Sequence, residues 1–275
     1  MCQLPADALG SSIQKTHNHY DSSVKNDWKR TIASIWAVLC LGCALYAKEN
    51  CPAEIKLLLS PPTIQTVIAS LGFEKGETRD RVYFFDTDDL NLLMQGVIVR
   101  VRQGGDNDLT VKVRVPEDNK QVDTSRLREQ FQCEIDRTGA GENVSYSVGR
   151  KYKPRQIPKI GADIFSVLSP PQRRLLQEAR VSIDWSQVRR ISNINSTKWE
   201  TTAQSPFRKL TLELWEWPAG NILELSTKVG PDEVQLKSAE LQRLVDRKRL
   251  SLSASQGTKT RTILEAFTHH TSPSR

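Results

Sequence analysis

The chain has 275 residues, of which 39 are lysine or arginine and 32 are aspartate or glutamate, giving a formal net charge of +7. That length allows one large domain plus a leader, and the positive balance favours an anionic ligand or surface. Neither a C-x-x-C…H-x-x-H metal pattern nor an aromatic RNA-binding signature occurs, so nucleic acid is not the expected partner.

Between Thr31 and Ala47 there is no charge, and this run, TIASIWAVLCLGCALYA, follows Lys25, Lys29 and Arg30. Basic residues, an apolar stretch and a small residue at Ala47 predict a leader over residues 1–47: a signal peptide, a lipoprotein signal or a short membrane anchor. The apolar run is shorter than the roughly 20 residues that comfortably span a bilayer. The polar segment from Met1 to Ser23 is long for a signal, and the lipobox-like CLGC ending at Cys43 has Cys40 where an aliphatic residue is expected. A buried core helix is the alternative. The expectation is an exported or membrane-anchored protein, periplasmic or extracellular. Beyond the leader only Cys51 and Cys133 remain. They could pair in an oxidising compartment or stand as two separate buried thiols, since sequence fixes no distance between them.

After the leader, residues 54–60 read as a strand. Pro61 and Pro62 open a helix in which Ile64, Val67, Ile68 and Leu71 recur at helical spacing until Gly72. Strands follow at 81–85, 97–102, 109–115 and 130–137, and the Gly- and Asp-rich turn 103–108 makes an antiparallel hairpin of the second and third. Residues 139–158 turn polar and read as loop. Ser169 begins another Ser-Pro helix, with Leu175 and Leu176 as its apolar contacts. Strands resume near Val181, Ile191 and Lys198, then at 210–217 and 221–229 around a turn at Pro218 to Gly220. Residues 232–250 are amphipathic, and the tail 269–275 reads as disordered.

Charge falls on every second strand position. VIVRVR puts Arg100 and Arg102 on one face and LTVKVR does the same for Lys112 and Arg114, while Val99, Val101, Val111 and Val113 make apolar opposite faces. A solvated basic hairpin is one reading. Against it, like charges across a hairpin repel and exposed faces usually mix signs. Carboxylates occupy the other strands: Glu54, Glu134, Asp136, Glu213 and Glu224. Closed into a barrel with these faces inward, the strands would line a cavity with cations and carboxylates together, suited to a polyphosphate and its divalent metal.

In their order, EIK at 54–56, YFFDTDDLNLLMQGVIVRVR, LTVKVR, CEIDR, LTLELWEWPAGNILELSTK and a C-terminal KTR resemble the CYTH domain of triphosphate tunnel metalloenzymes, from about Glu54 to Phe267. The resemblance implies an α+β fold, a closed antiparallel β-barrel forming a tunnel with helices packed on the outside, over residues 48–268. It implies metal-dependent hydrolysis of inorganic tripolyphosphate or an organic triphosphate, with Mg²⁺ or Mn²⁺ as cofactor. Glu54, Lys56 and Glu224 would be catalytic; Lys56, Arg100, Arg102, Lys112, Arg114, Lys228, Lys259 and Arg261 would hold phosphate; Glu54, Glu134, Glu213 and Glu224 would hold metal. Two positions depart from the family pattern. Its opening E-x-E-x-K reads Pro52-Ala53-Glu54-Ile55-Lys56, and the second of two alternating glutamates in the late strand is Ser226. A tunnel that binds polyphosphate or another polyanion with weakened turnover is therefore the alternative, and a cyclase acting on ATP is a lesser one.

Overall fold

The alternating segments become the staves of a barrel in the structure, a computed structural model in which residues 51–60, 63–73, 77–116, 119–154, 163–202 and 206–269 are described. The strands are β1 (Ala53–Leu59), β2 (Thr78–Asp86), β3 (Val97–Gly104), β4 (Asp108–Arg114), β5 (Gln132–Thr138), β6 (Gly141–Lys151), β7 (Arg189–Arg190), β8 (Ile194–Thr202), β9 (Lys209–Trp217) and β10 (Gly220–Val229). Nine of them close in the order β3-β4-β6-β5-β1-β10-β9-β8-β2, with β2 returning to β3, and β7 extends the end of β2. All neighbours are antiparallel except β1 and β5, which run parallel. The barrel is thus mixed, not wholly antiparallel as expected. β6 of the β5–β6 hairpin pairs with β4, which leaves β5 to meet β1 in the same chain direction.

β6 lies where the sequence reads as loop. Its outward Val144, Tyr146 and Val148 pack on the core, while its inward positions are Ser145, Ser147 and Gly149. The apolar and small polar residues alternate, so the period-2 strand signal is present in a segment whose overall polar composition reads as loop. The strand expected near Val181 does not form; Val181 and Ile183 pack as irregular chain before a 3₁₀ turn at Trp185–Gln187.

Two helical layers cover the outside. α1 (Ile64–Leu71) is capped by the Thr63 side chain, which accepts from the Thr66 N–H, and ends at Gly72 in the left-handed region. With the later amphipathic helix, Val234–Arg247, it lays Val67, Leu71, Leu241 and Val245 over Ile55, Leu212 and Leu225. On the other side, helices at Thr124–Gln130, Ile164–Val167 and Pro170–Glu178 bring Leu127, Ile164, Leu175 and Leu176 onto Val99, Val101, Val111 and Val113. A further short helix, Asn91–Met94, links β2 to β3, and buried Asp86 accepts from the N–H groups of Thr87, Leu92 and Leu93 to hold that link. In chain order the helices are α1, α2 (Asn91–Met94), α3 (Thr124–Gln130), α4 (Ile164–Val167), α5 (Pro170–Glu178), α6 (Val234–Arg247) and α7 (Lys259–His269).

The third apolar cluster lies inside the barrel. Val82, Phe84, Ile98, Ile194 and Trp215 share the inner face with the charged residues, and Ile263 and Leu264 of α7 pack against them. α7 therefore closes off part of the lumen with apolar contact. The leader expected over 1–47 and residues 270–275 lie outside the described residues, and His269, assigned to the tail, ends α7. Among the described residues no helix is long and apolar enough to cross a membrane.

Cys51 and Cys133 form a disulfide, with Cα atoms 5.2 Å apart across a sequence separation of 82. It braces the parallel seam, whose register extends only from Ala53↔Ile135 to Ile55↔Arg137, with one further bond from Ile135 N–H to the Pro52 carbonyl at 2.9 Å. Loop-closure entropy gives a cross-link of that span about 4.5 kcal/mol of stability. The double variant Cys51→Ser/Cys133→Ser should lose stability of that order in urea unfolding, and a loss below about 1 kcal/mol would show that the seam holds without it.

Candidate functional site

Residues in cross-strand register share a face. Phe84↔Arg100, Val82↔Arg102, Lys198↔Glu213, Glu213↔Glu224, Lys56↔Ser226 and Glu54↔Asp136 are such pairs, and all look into the barrel. The lumen holds a cavity of about 440 Å³ lined by nine cationic and six anionic side chains. Of the site residues expected from the sequence, Glu54, Lys56, Arg100, Arg102, Lys112, Arg114, Glu134, Glu213, Glu224, Lys228 and Lys259 line it. Arg261 does not; it is exposed on α7 and pairs with Glu265 one turn along at 3.2 Å. Asp136, expected among the inward carboxylates but given no site role, also lines the cavity, as do Lys198, Lys209 and Glu200, which sequence reasoning left out. Each alternates in phase with a neighbour of the same strand, so the period-2 pattern carried the signal.

One charge network centres on Asp136, which is fully buried. Its Oδ1 accepts from Lys56 Nζ at 2.5 Å and its Oδ2 from Lys112 Nζ at 2.7 Å, with Arg114 Nη2 3.7 Å away. Lys56 also pairs with Glu54 at 2.9 Å, Lys112 with Glu134 at 3.3 Å, and Lys228 with Glu134 at 2.7 Å. Burial works against charge on Asp136, but Lys56 and Lys112 outweigh it and hold the carboxyl well below the usual range. Glu54 is likewise lowered, its burial overcome chiefly by Lys56. Lys56 is raised in return: burial opposes its charge, and Glu54 and Asp136 override that. One oxygen each from Glu54, Glu134 and Asp136 lie within 4.8 Å of one another, a hard-donor set of the type that holds a divalent metal ion.

The other carboxylates expected as metal ligands, Glu213 and Glu224, stand apart from that group. They face each other across β9 and β10, and Lys259 of α7 bonds to both, to Glu224 at 2.8 Å. The sequence-expected metal set therefore divides in two, with Asp136 joining Glu54 and Glu134.

The arginines of β3 face carboxylates from the β3–β4 turn, the start of β4 and β9. Arg100 lies 3.9 Å from Asp108, and Arg102 lies 3.7 Å from both Asp106 and Glu213. Burial, together with Arg102 beside it, pulls Arg100 down to about 10, so it stays charged at neutral pH. Arg114 ends β4 against Gly96, whose positive φ of 73° and missing Cβ let the Arg114 carbonyl approach and accept no clash. The Nε atoms of Arg100, Arg102 and Arg114 are all buried without a hydrogen-bond partner. Buried donors left open in this way cost free energy unless a ligand meets them.

No family model matches the sequence, and no curated protein matches it either. Among solved structures the chain is similar to HpAC1 of Hippeastrum, described as an adenylyl cyclase by assignment that reveals a dominant triphosphatase activity: 18% identity, TM-score 0.56, covering 78% of this chain and 95% of that one. It is similar too to an assigned adenylate cyclase of Bacillus halodurans, with 17% identity, TM-score 0.54 and coverage of 78% and 97%. The fold is that of the CYTH-type tunnel whose motif order the sequence resembles.

Asp136 carries a measurable consequence. Its folded-state pKa is depressed, so its stabilisation is present above the unfolded value of about 3.9 and is lost as pH falls through the folded value. Asp136→Asn should cost about 3–5 kcal/mol near pH 7 by leaving Lys56 and Lys112 short of their shared anion, and the cost should shrink below about pH 4. Urea unfolding at pH 7 and pH 3 measures this; an equal loss at both would show that the charge is not what Asp136 contributes.

Proposed function

We propose that this chain is a divalent-metal-dependent triphosphatase of the tunnel type, hydrolysing inorganic tripolyphosphate or an organic triphosphate in the barrel lumen. The observation that carries this is a lumen lined by nine cationic and six anionic side chains, with Arg100, Arg102 and Arg114 among the cations and their buried Nε–H groups without a partner. A triphosphate supplies about four negative charges and a row of acceptor oxygens, and a guanidinium fork binds such oxygens in pairs. A neutral or cationic ligand would meet the opposite field.

Arg100 and Arg102 of β3 with Lys112 and Arg114 of the adjoining β4 would hold the phosphates from one wall, and Lys56 of β1 from another. Lys56, raised in pKa by Glu54 and Asp136, remains a fixed cation and not a base. Glu54 and Asp136, held low, stay ionised through neutral pH and remain oxygen ligands, with Glu134, for Mg²⁺ or Mn²⁺. The ion when bound supplies neutralisation of phosphate oxygens and acidification of the attacking water. In the reaction, water oxygen bonds to a terminal phosphorus, the anhydride P–O bond breaks, and orthophosphate leaves a shortened chain.

A second reading, a tunnel that binds polyphosphate with little turnover, draws on Ser226. Its hydroxyl bonds to Glu54 Oε1 at 3.1 Å, where the family places a carboxylate. The Cys51–Cys133 disulfide supports the proposal that the chain works in an oxidising compartment, in keeping with export or anchoring through residues 1–47.

Phosphate release from tripolyphosphate and ATP, with cyclic AMP measured in parallel, tests these readings. Tripolyphosphate turnover that needs Mg²⁺ or Mn²⁺ and stops with EDTA is expected, and Arg100→Ala or Arg102→Ala should lower kcat/KM about 10²-fold. Tight tripolyphosphate binding without phosphate release would favour the binder; cyclic AMP as the main product would favour a cyclase. Turnover unchanged in both arginine variants would remove them from the site.

A further inference from the structure

Glu213 and Glu224 lie directly opposite each other on β9 and β10, buried inside the barrel. Two carboxylates so placed repel, and the pair needs a cation. The cation present is an ammonium. Lys259 bonds to Glu213 Oε2 and to Glu224 Oε1, and its charge also sits over the Trp215 ring, 4.4 Å from the centroid.

Glu213 has little capacity left for another partner. Its Oε1 accepts from the Ser196 hydroxyl at 2.9 Å and the Trp215 indole N–H at 2.8 Å, with Arg102 Nη2 3.7 Å away, and its Oε2 takes Lys259. A carboxylate offers about four lone-pair directions, and four donors surround this one. Lys259 is also not free to swing away, because it stands at the start of α7, whose Ile263 and Leu264 are packed inside the barrel. The other carboxylate group is also paired with ammonium groups, Lys56 with Glu54 and Asp136 and Lys112 with Glu134 and Asp136, but it is less closed: Glu134 is held as well by Lys228, whose side chain is 68% exposed and can turn to solvent, and Glu54 Oε1 accepts from the Ser226 hydroxyl.

We infer that Lys259 is a built-in counter-cation for Glu213 and Glu224, standing where a second divalent ion would have to bind. The chain then takes one divalent ion, at Glu54, Glu134 and Asp136, and Glu213 anchors α7 in the barrel and is not a metal ligand. The single-ion part rests on the metal-dependent reading above; the anchoring part does not.

Mn²⁺ titration of the full chain without substrate, read by calorimetry and by electron paramagnetic resonance of free Mn²⁺, tests the stoichiometry. One Mn²⁺ per wild-type chain is expected, still one in Glu213→Gln, and a second, weaker site in Lys259→Met, which removes the ammonium while keeping most of the side-chain volume. Two ions in wild type, with Glu213→Gln reducing them to one, would overturn the inference. Thermal unfolding reads the anchor independently. Lys259→Met and Glu213→Gln should each lower Tm, and the double variant should lose less than the two losses added; strictly additive losses would overturn the anchor. If no variant binds Mn²⁺, the single-ion part and the metal-dependent function both fall, while the Tm cycle still decides the role of Lys259.

Discussion

Closing the sheet on itself is the constraint from which the rest of this structure follows. An open antiparallel sheet can turn a charged face to water, but a nine-strand barrel turns one face of every strand into a confined space. The charges of β1, β3, β4, β5, β9 and β10 then have to answer one another, because an isolated buried charge costs several kcal/mol. They do so in two networks, one around Asp136 and one around Glu213, each carboxylate bonded to at least one ammonium. Internal pairing is incomplete on the cationic side. The guanidinium Nε atoms of three arginines have no partner, and cations outnumber carboxylates along the cavity, which is the basis of the anion-binding proposal.

The apolar packing serves this arrangement from both sides. Outside, the valines of β3 and β4 are pinned by α3, α4 and α5, which fixes the phase of the strands and so the inward aim of Arg100, Arg102, Lys112 and Arg114. A slip of one residue would send every one of them outward. Inside, α7 joins Val82, Phe84 and Trp215 through Ile263 and Leu264, so the same helix that fills part of the lumen also delivers Lys259 to the carboxylate pair. The disulfide acts at the seam with the fewest ladder contacts, one residue before Glu134 and three before Glu54. Bracing there keeps the β1 and β5 carboxylates together.

The two departures from the family pattern become intelligible in this setting. Ser226 faces Lys56 across β10 and β1 and bonds to Glu54, so the position still faces the acidic group but adds no charge to it. Pro52 precedes β1 at an exposed position, and its carbonyl accepts from Ile135. With those carboxylates absent, the group among the described residues whose oxygens lie close enough to converge on an ion is Glu54, Glu134 and Asp136. A solved structure of the same fold is described as having a dominant triphosphatase activity, and the chemistry proposed here agrees with that while drawing on a smaller carboxylate set.

The sequence by itself determined the inner and outer faces. Strict alternation in VIVRVR and LTVKVR assigns Arg100 and Lys112 to one face and the valines to the other whatever the partners, because successive Cβ atoms of a strand point to opposite sides. It also carried the hairpin of β3 and β4, the helix after Pro62 and the amphipathic α6. Read by overall polarity, β6 is missed, although Val144, Tyr146 and Val148 alternate with Ser145, Ser147 and Gly149, and the sequence did not carry the parallel pairing of β1 with β5, which depends on which edges remain free once the hairpins form. The division of the carboxylates was also beyond it. Glu134 and Asp136 share a face of β5 by period alone, but Glu54, 80 residues from Glu134 in the chain, meets them only because of that pairing, while the partner of Glu213 comes from a helix near the far end of the sequence. Alternation decides which way a side chain points; which charges meet is decided by closure, since only closure sets the distances between strands remote in sequence.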